Sequence, residues 1–386
     1  MKLKRRSFLF LLGASGYGLT ACLNQLNAGQ SKTLEQPTLA KTSPSPPPVV
    51  DDRLAKQGIT NPPRGDVRIV VISDLNSQYG STDYDPEVDK AIALIPGWQP
   101  DLVLCGGDMI AGQSPSLSRA QIEAMWQAFD QHVAAPLRQA NIPYGFTLGN
   151  HDASGALGFQ NQFLYQKERD LAAAYWRNPA HNPGVNFVDR SGFPFYYSFA
   201  QNDIFFLVWD ASTHLIPAKQ LTWAEQSLSS PQAQQAKLRI AIGHLPLYGI
   251  TVGRDEPGEY LERADQLRAL LEKYNVHTYI SGHDHGYYPG HVGKLQTLQC
   301  GILGSGMRPL LVGNLPPQKT LTVMDVNLAA ADTVYTTYNA MTMKVIDQQT
   351  LPRLIPAPNG KVLRRDVELA DLTPEERAMK YTPSTI

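Results

Sequence analysis

Beyond its first 65 residues the chain alternates short, largely apolar runs with amphipathic stretches, and most of the runs end in a polar cluster. Residues 67–73 form a β-branched run without polar alternation, the pattern of a strand buried on both faces. Residues 100–105, 142–148, 238–244 and 276–280 repeat it. Helices fall between them. Asp85-Pro86-Glu87 reads as an N-cap, a first-turn proline and an acidic first turn, opening a helix to about residue 95. Residues 116–140 carry Ile122, Met125, Trp126, Phe129 and Val133 at helical spacing, and residues 218–228 and 260–274 read as two further helices. Residues 195–199 and 204–209 predict a hairpin turning at Gln201-Asn202-Asp203, and strands follow at 297–302 and 320–326. From about Pro352 the chain is polar and proline-containing, which predicts loose packing. Strand, helix and strand in repetition predict an α/β fold, with no internal repeat.

The N-terminus belongs to a different class. Met1 to Arg6 is basic, and residues 7–19 are apolar but short for a membrane span. Leu19-Thr20-Ala21-Cys22 resembles a bacterial lipobox, and Arg5-Arg6-Ser7-Phe8-Leu9 resembles a twin-arginine export motif. The expected organisation is a signal peptide at 1–21, a disordered Pro/Ser-rich tether at 22–65, a folded domain at 66–330 and a C-terminal extension at 331–386. The protein is expected on the periplasmic side of the cytoplasmic membrane of a bacterial envelope, attached only through a lipid on Cys22.

Composition narrows the partners. Of 386 residues, 42% are hydrophobic and 18% charged, enough apolar content for a sizeable core. Removing residues 1–21 takes away Lys2, Lys4, Arg5 and Arg6, moving the formal net charge from -1 to -5. No basic stripe marks a nucleic-acid partner. No oligomeric state is implied. Cys105 and Cys300 end apolar runs and are expected as buried free thiols.

The candidate chemistry lies at strand ends. Five buried runs lead into Asp74-Leu75-Asn76, Gly107-Asp108, Gly149-Asn150-His151-Asp152, Gly243-His244 and Gly282-His283-Asp284-His285. Open α/β sheets place their sites beyond the carboxyl ends of strands. Oxygen and imidazole donors gathered there suit divalent cations. His132, His181, His214, His277 and His291 fall outside this set and are expected to be structural or exposed.

This ordered set resembles the calcineurin-like metallophosphoesterases, whose pattern runs Asp-x-His, Gly-Asp, Gly-Asn-His-Asp/Glu, His and Gly-His-x-His. The resemblance covers residues 67–306 and implies a four-layer α/β/β/α sandwich with two divalent metal ions at one edge of the sheets. By position, Asp108 would bridge the ions. Asp74, Asn76 and His285 would complete one site; Asn150, His244 and His283 would complete the other. His151 would protonate the leaving group, Asp152 would orient His151 by a hydrogen bond, and Asp284 would point away from both ions. The chemistry implied is hydrolysis of a small phosphoester, with the ions neutralising phosphate charge and acidifying water.

Asn76 departs from the pattern, which has histidine there. A neutral amide oxygen is a harder, weaker ligand than imidazole, so manganese is expected first, with iron, zinc or magnesium as alternatives. Purple acid phosphatases lack that histidine too, but they place a tyrosine three residues after the Gly-Asp aspartate, where this chain has Ala111. Phosphomonoesters are favoured over diesters, and a non-catalytic envelope lipoprotein retaining the fold is the rival from another class. Tyr79, Tyr84 and Arg254 sit in neighbouring loops as candidate substrate contacts.

Overall fold

A computed structural model of the chain describes residues 52–384; the leader, Cys22 and the tether up to residue 51 lie outside the described residues. The strands are β1 (Val67–Ile72), β2 (Leu102–Cys105), β3 (Tyr144–Phe146), β4 (Phe187–Gly192), β5 (Tyr196–Gln201), β6 (Ile204–Val208), β7 (Leu238–Ile242), β8 (Thr278–Ser281), β9 (Tyr287–Val292), β10 (Leu295–Cys300), β11 (Thr320–Asn327), β12 (Asp332–Asn339), β13 (Leu354–Ala357) and β14 (Gly360–Arg364). They form a five-stranded sheet, β12-β11-β1-β2-β3, and a nine-stranded sheet, β13-β14-β9-β10-β8-β7-β6-β5-β4. In the first, β1, β2 and β3 run parallel. In the second, β6, β7, β8 and β10 run parallel.

The two sheets pack face to face in the α/β sandwich expected. Tyr197 of β5 donates its hydroxyl to the Phe146 carbonyl at 2.6 Å and accepts the Phe146 N–H at 3.0 Å, joining the sheets through β3. All six residues of β1 are buried, which explains its lack of alternation. Helices Pro86–Leu94, Arg119–Phe129, Ala218–Leu228 and Ala264–Lys273 appear where the periodicity places them. Asp85 holds the N-cap position of the first, but its carboxylate makes no cap bond and instead meets Lys319 and Ser305.

Two sequence expectations are corrected. The tether is expected to be unpacked to residue 65, yet Arg53–Lys56 is helical and Leu54 and Ile59 are buried. Arg68, only 2% exposed, draws this segment in: it donates to the Pro62 carbonyl at 2.8 Å and to Asn61 at 2.9 Å while forming a two-pronged pair with Asp325. The tail beyond Pro352 is expected to be loose, but β14 pairs with β9 and β13 with β14. Buried Arg364 satisfies the Leu351 carbonyl and Asp366 there, so a charged side chain sits in a packed strand. Strands β4, β9 and β12 and the helix Gln166–Arg177 also appear, with no counterpart among the predicted elements.

Candidate metal centre

The carboxyl ends of β1, β2 and β3 from one sheet and of β7 and β8 from the other meet at one edge of the sandwich. Asp74, Asp108 and His244 bring ligand atoms within 4.8 Å of one another, and all three are buried. His244 Nε2 lies 3.3 Å from Asp108 Oδ2 and 2.9 Å from Asn150 Oδ1. His283 Nδ1 lies 3.0 Å from the same Asn150 oxygen. On the other side His285 Nε2 is 3.3 Å from Asp74 Oδ1. Asn76 is buried beside them, its N–H on the Asp108 carbonyl at 3.2 Å and its own carbonyl accepting from Ser305 N–H at 3.1 Å. Among the described residues its side-chain amide has no hydrogen-bond partner.

The loops are built so that these side chains can converge. Asp74, Asp108, His283 and His285 all have left-handed backbone, with φ of 52°, 54°, 68° and 56°. Gly149 and Gly282 make room: a Cβ on Gly149 would fall on the Asp108 carboxylate, and one on Gly282 would fall on Ser73 Oγ and Asp74 Oδ2. Ser73 donates to Asp74 Oδ2 at 2.5 Å, and the His283 N–H reaches both Asp74 oxygens at 3.1 and 3.2 Å.

Each imidazole is anchored at one nitrogen, which in the neutral ring leaves the lone pair on the other. His244 Nδ1 donates to the Gly106 carbonyl at 2.8 Å, His285 Nδ1 to the Gly306 carbonyl at 2.8 Å, and His283 Nε2 to Glu259 at 2.8 Å. Such outer partners set tautomer and ring angle in metal sites. With Nε2 committed to Glu259 and the Asn150 amide donating to Gln113 Oε1 at 2.7 Å, His283 Nδ1 faces Asn150 Oδ1 lone pair to lone pair. A cation between them resolves that arrangement, so the donor set fits a divalent ion.

The electrostatics agree with that demand for positive charge. Burial opposes the charge on His244, but Asp108 and Asp74 outweigh it and carry its pKa to about 9. Burial likewise opposes charge on Asp108 and Asp74; His244 and His151 hold the first well below the usual carboxylate range, and His285 holds the second below it. His283 is pushed down to about 3, chiefly by burial.

His151 stands at the rim, 14% exposed, with Nε2 3.9 Å from Asp108 Oδ2. Its Nδ1 pairs with the Gly112 carbonyl at 3.1 Å. The expected hydrogen bond from Asp152 is therefore corrected. Asp152 is fully buried and accepts the Met109, Ile110 and Gly149 N–H groups at 2.8, 2.9 and 2.8 Å, so it ties two ligand loops together instead of touching His151. Burial and neighbouring Asp108 raise its pKa to about 7. The reason is positional: Asp152 is the third residue of a helical turn at 150–153, and its carboxylate folds back over the Gly149 N–H at the head of that turn.

Asp284 turns from the ligands as expected, accepting from Ile250 N–H at 3.3 Å, and its other oxygen is buried with no partner. Tyr79 lies at the mouth, 65% exposed, its ring 5.1 Å from that of His151. Tyr84 spends its hydroxyl on the Met109 carbonyl at 2.7 Å. Arg254 pairs with Glu259 at 2.5 Å. Glu259 and Gln113, which hold His283 and Asn150, lie in loops whose local pattern carries no signal for either role. The remaining histidines are structural or surface groups: His132 meets Asp89, His181 the Tyr175 carbonyl, His214 Glu262, His277 Thr278, and His291 the Val367 carbonyl. Cys105 and Cys300 are buried free thiols.

A family model described as calcineurin-like phosphoesterase matches residues 67–287, more than half the chain. A search of curated proteins gives no match. Among solved structures, GAP50 of Plasmodium is 17% identical over 73% of this chain and 87% of its own, with a TM-score of 0.46. TT1561 of Thermus thermophilus is 14% identical over 71% of this chain and 99% of its own, with a TM-score of 0.40. A putative 5'-nucleotidase from Staphylococcus aureus is 13% identical over 81% of this chain and 56% of its own, with a TM-score of 0.38.

Proposed function

The chain belongs to the calcineurin-like phosphoesterase family, and from that premise we propose that it is a dinuclear metal-dependent hydrolase of small phosphomonoesters. The observation that carries the reading is the meeting of two carboxylates, two asparagines and three singly anchored histidines from five strand ends. Asp108 lies between the two halves of this set. Asp74, Asn76 and His285 form one half; Asn150, His244 and His283 form the other. Bound there, divalent ions supply charge neutralisation for phosphate oxygens and lower the pKa of water.

The chain's own residues do the rest. Asp108 and Asp74 are held as carboxylates by the imidazoles beside them. The Gly112 carbonyl takes His151 Nδ1–H, so that the doubly protonated ring holds its Nε2–H free for the departing alkoxide, a contribution of about 10² to 10⁴-fold. Tyr79, beside His151 and largely exposed, offers a face to the leaving group. The amide at Asn76 makes its half richer in oxygen, which favours manganese over zinc. The leader motifs and the Pro/Ser-rich tether support an exported protein lipid-anchored through Cys22. Cys22→Ser should then move it from the membrane to the soluble fraction.

Asn76 also supports a second reading, a non-catalytic envelope lipoprotein with a weakened metal site. One experiment separates them. Metal-stripped protein is refilled with Mn²⁺ and assayed on an aryl phosphomonoester and a bis-aryl diester, with Asp108→Asn as control. Mn²⁺-dependent turnover of the monoester, lost in Asp108→Asn, is the expected result. No Mn²⁺-dependent turnover of either ester refutes the enzyme reading, and unchanged turnover in Asp108→Asn refutes the bridging role.

A further inference from the structure

The turn His283-Asp284-His285 is gripped from outside by one segment, residues 250–259. Ile250 N–H donates to Asp284 Oδ2 at 3.3 Å, Thr251 Oγ1 donates to the Asp284 carbonyl at 2.8 Å, and Glu259 Oε2 receives His283 Nε2 at 2.8 Å. Glu259 is itself fixed by Arg254 Nη1 at 2.5 Å on that same Oε2. The segment is pinned in turn by the C-terminal tail. Tyr381 Oη and Ser384 N–H both donate to Asp255 Oδ2 at 2.9 Å, Ser384 Oγ donates to Asp255 Oδ1 at 2.7 Å, and Gly253 N–H donates to Ser384 Oγ at 3.3 Å.

We propose that Glu259, braced by Arg254 and latched through Asp255 to Tyr381 and Ser384, is the positioning residue that aims His283 Nδ1 into the metal centre. The inference rests on the metal-centre reading above. An imidazole that donates at one nitrogen must present its lone pair at the other, and a charged acceptor makes that lone pair a stronger donor. Glu259 therefore does for His283 what the Gly106 and Gly306 carbonyls do for His244 and His285. It differs in sitting on a separate segment, whose position depends on the last residues of the chain. The tail thereby acts most directly on the half that holds His283.

The test is equilibrium Mn²⁺ binding to the full chain, read by the electron paramagnetic resonance of free, isolated and spin-coupled manganese. In Glu259→Ala one of two sites should weaken by about 10- to 100-fold, the magnitude typical of a lost outer partner. The spin-coupled signal should give way to isolated manganese. Glu259→Gln keeps an acceptor and should lie between wild type and Glu259→Ala. The double variant Tyr381→Phe/Ser384→Ala, remote from the ligands, should weaken the same site by less. Thermal unfolding in chelator checks that each variant folds. Two sites of unchanged affinity in folded Glu259→Ala overturn the inference, while Asp108→Asn that loses both ions keeps the metal centre. A wild-type chain that binds no Mn²⁺ overturns both.

Discussion

Gly149→Ala tests the geometry of the centre with one methyl group. Gly149 has φ of −90°, which any residue adopts, so backbone strain is not at issue. At a compatible site the change stabilises by about 0.4 to 1 kcal/mol through the unfolded chain. Here the added Cβ would lie 2.8 Å from Asp108 Cγ and nearer still to Oδ1 and the Asp108 backbone nitrogen. Carbon contacts are comfortable from about 3.5 Å, and because a backbone atom is among the close ones, the Asp108 loop and its carboxylate together must retreat by about 0.7 Å or more. Overpacking of that kind costs about 1 to 3 kcal/mol of stability. A reacting geometry displaced by about 1 Å loses about 10²-fold in rate, or about 2.7 kcal/mol of barrier. The expected outcome is a folded protein with a lower thermal midpoint, weakened Mn²⁺ binding and aryl phosphomonoester turnover reduced about a hundredfold. Turnover and Mn²⁺ affinity within about threefold of wild type would mean that Asp108 is not where the ions meet, and the argument from the loops would fail.

Asp152→Asn should destabilise the protein by about 1 to 3 kcal/mol in chemical unfolding, because one amide oxygen cannot serve three buried N–H groups. The pH dependence of turnover should keep its shape, and a shifted acid limb would restore Asp152 as the partner of His151. His277, half-buried near Asp332 and Arg365, is held below its usual pKa chiefly by burial. It stays neutral in the fold while the unfolded chain takes up a proton, so its contribution is complete above about pH 6.5 and is lost as pH falls below that. His277→Asn should flatten the decline of thermal midpoint between pH 7 and 5, and an unchanged slope would refute the assignment.

The strands that carry the ligands were legible because burial on both faces favours largely apolar runs without polar alternation, and a polar cluster at the end of such a run is conspicuous. The helices followed from their spacing. What local pattern could not reveal is long-range pairing that makes a charged residue belong in the interior. Arg68 sits inside β1 because Asp325, 257 residues later, meets it. Arg364 reads as tail polarity yet is only 3% exposed, its guanidinium collecting carbonyls. Asp152 follows His151 directly and invited a local role, but its nearest amides outside its own turn lie 42 and 43 residues away. Glu259 reaches His283 from a loop with no motif of its own.

The four left-handed residues show why the donor set could be named while its shape could not. Left-handed backbone costs an L-residue roughly 1 to 2 kcal/mol, and Asp74, Asp108, His283 and His285 together carry about 4 to 8 kcal/mol. That is comparable to the whole stability of an ordinary domain, about 5 to 15 kcal/mol, so the surroundings must hold these residues in place. The loops themselves supply the restraint: Asp74 N–H bonds the Gly107 carbonyl, Leu75 and Asn76 N–H the Asp108 carbonyl, Gly304 N–H the Asp74 carbonyl, and Gly282 N–H the His244 carbonyl. Each bond ties a ligand loop to another loop, so none can relax to ordinary backbone without pulling on its neighbours. Aspartate and histidine both tolerate this conformation better than most residues, but local preference does not by itself place the two histidines in it. Their strain is explained by where it sends the rings, one toward Asn150 and the other toward Asp74, and strain retained at such positions is the mark of a site held ready for its ligand.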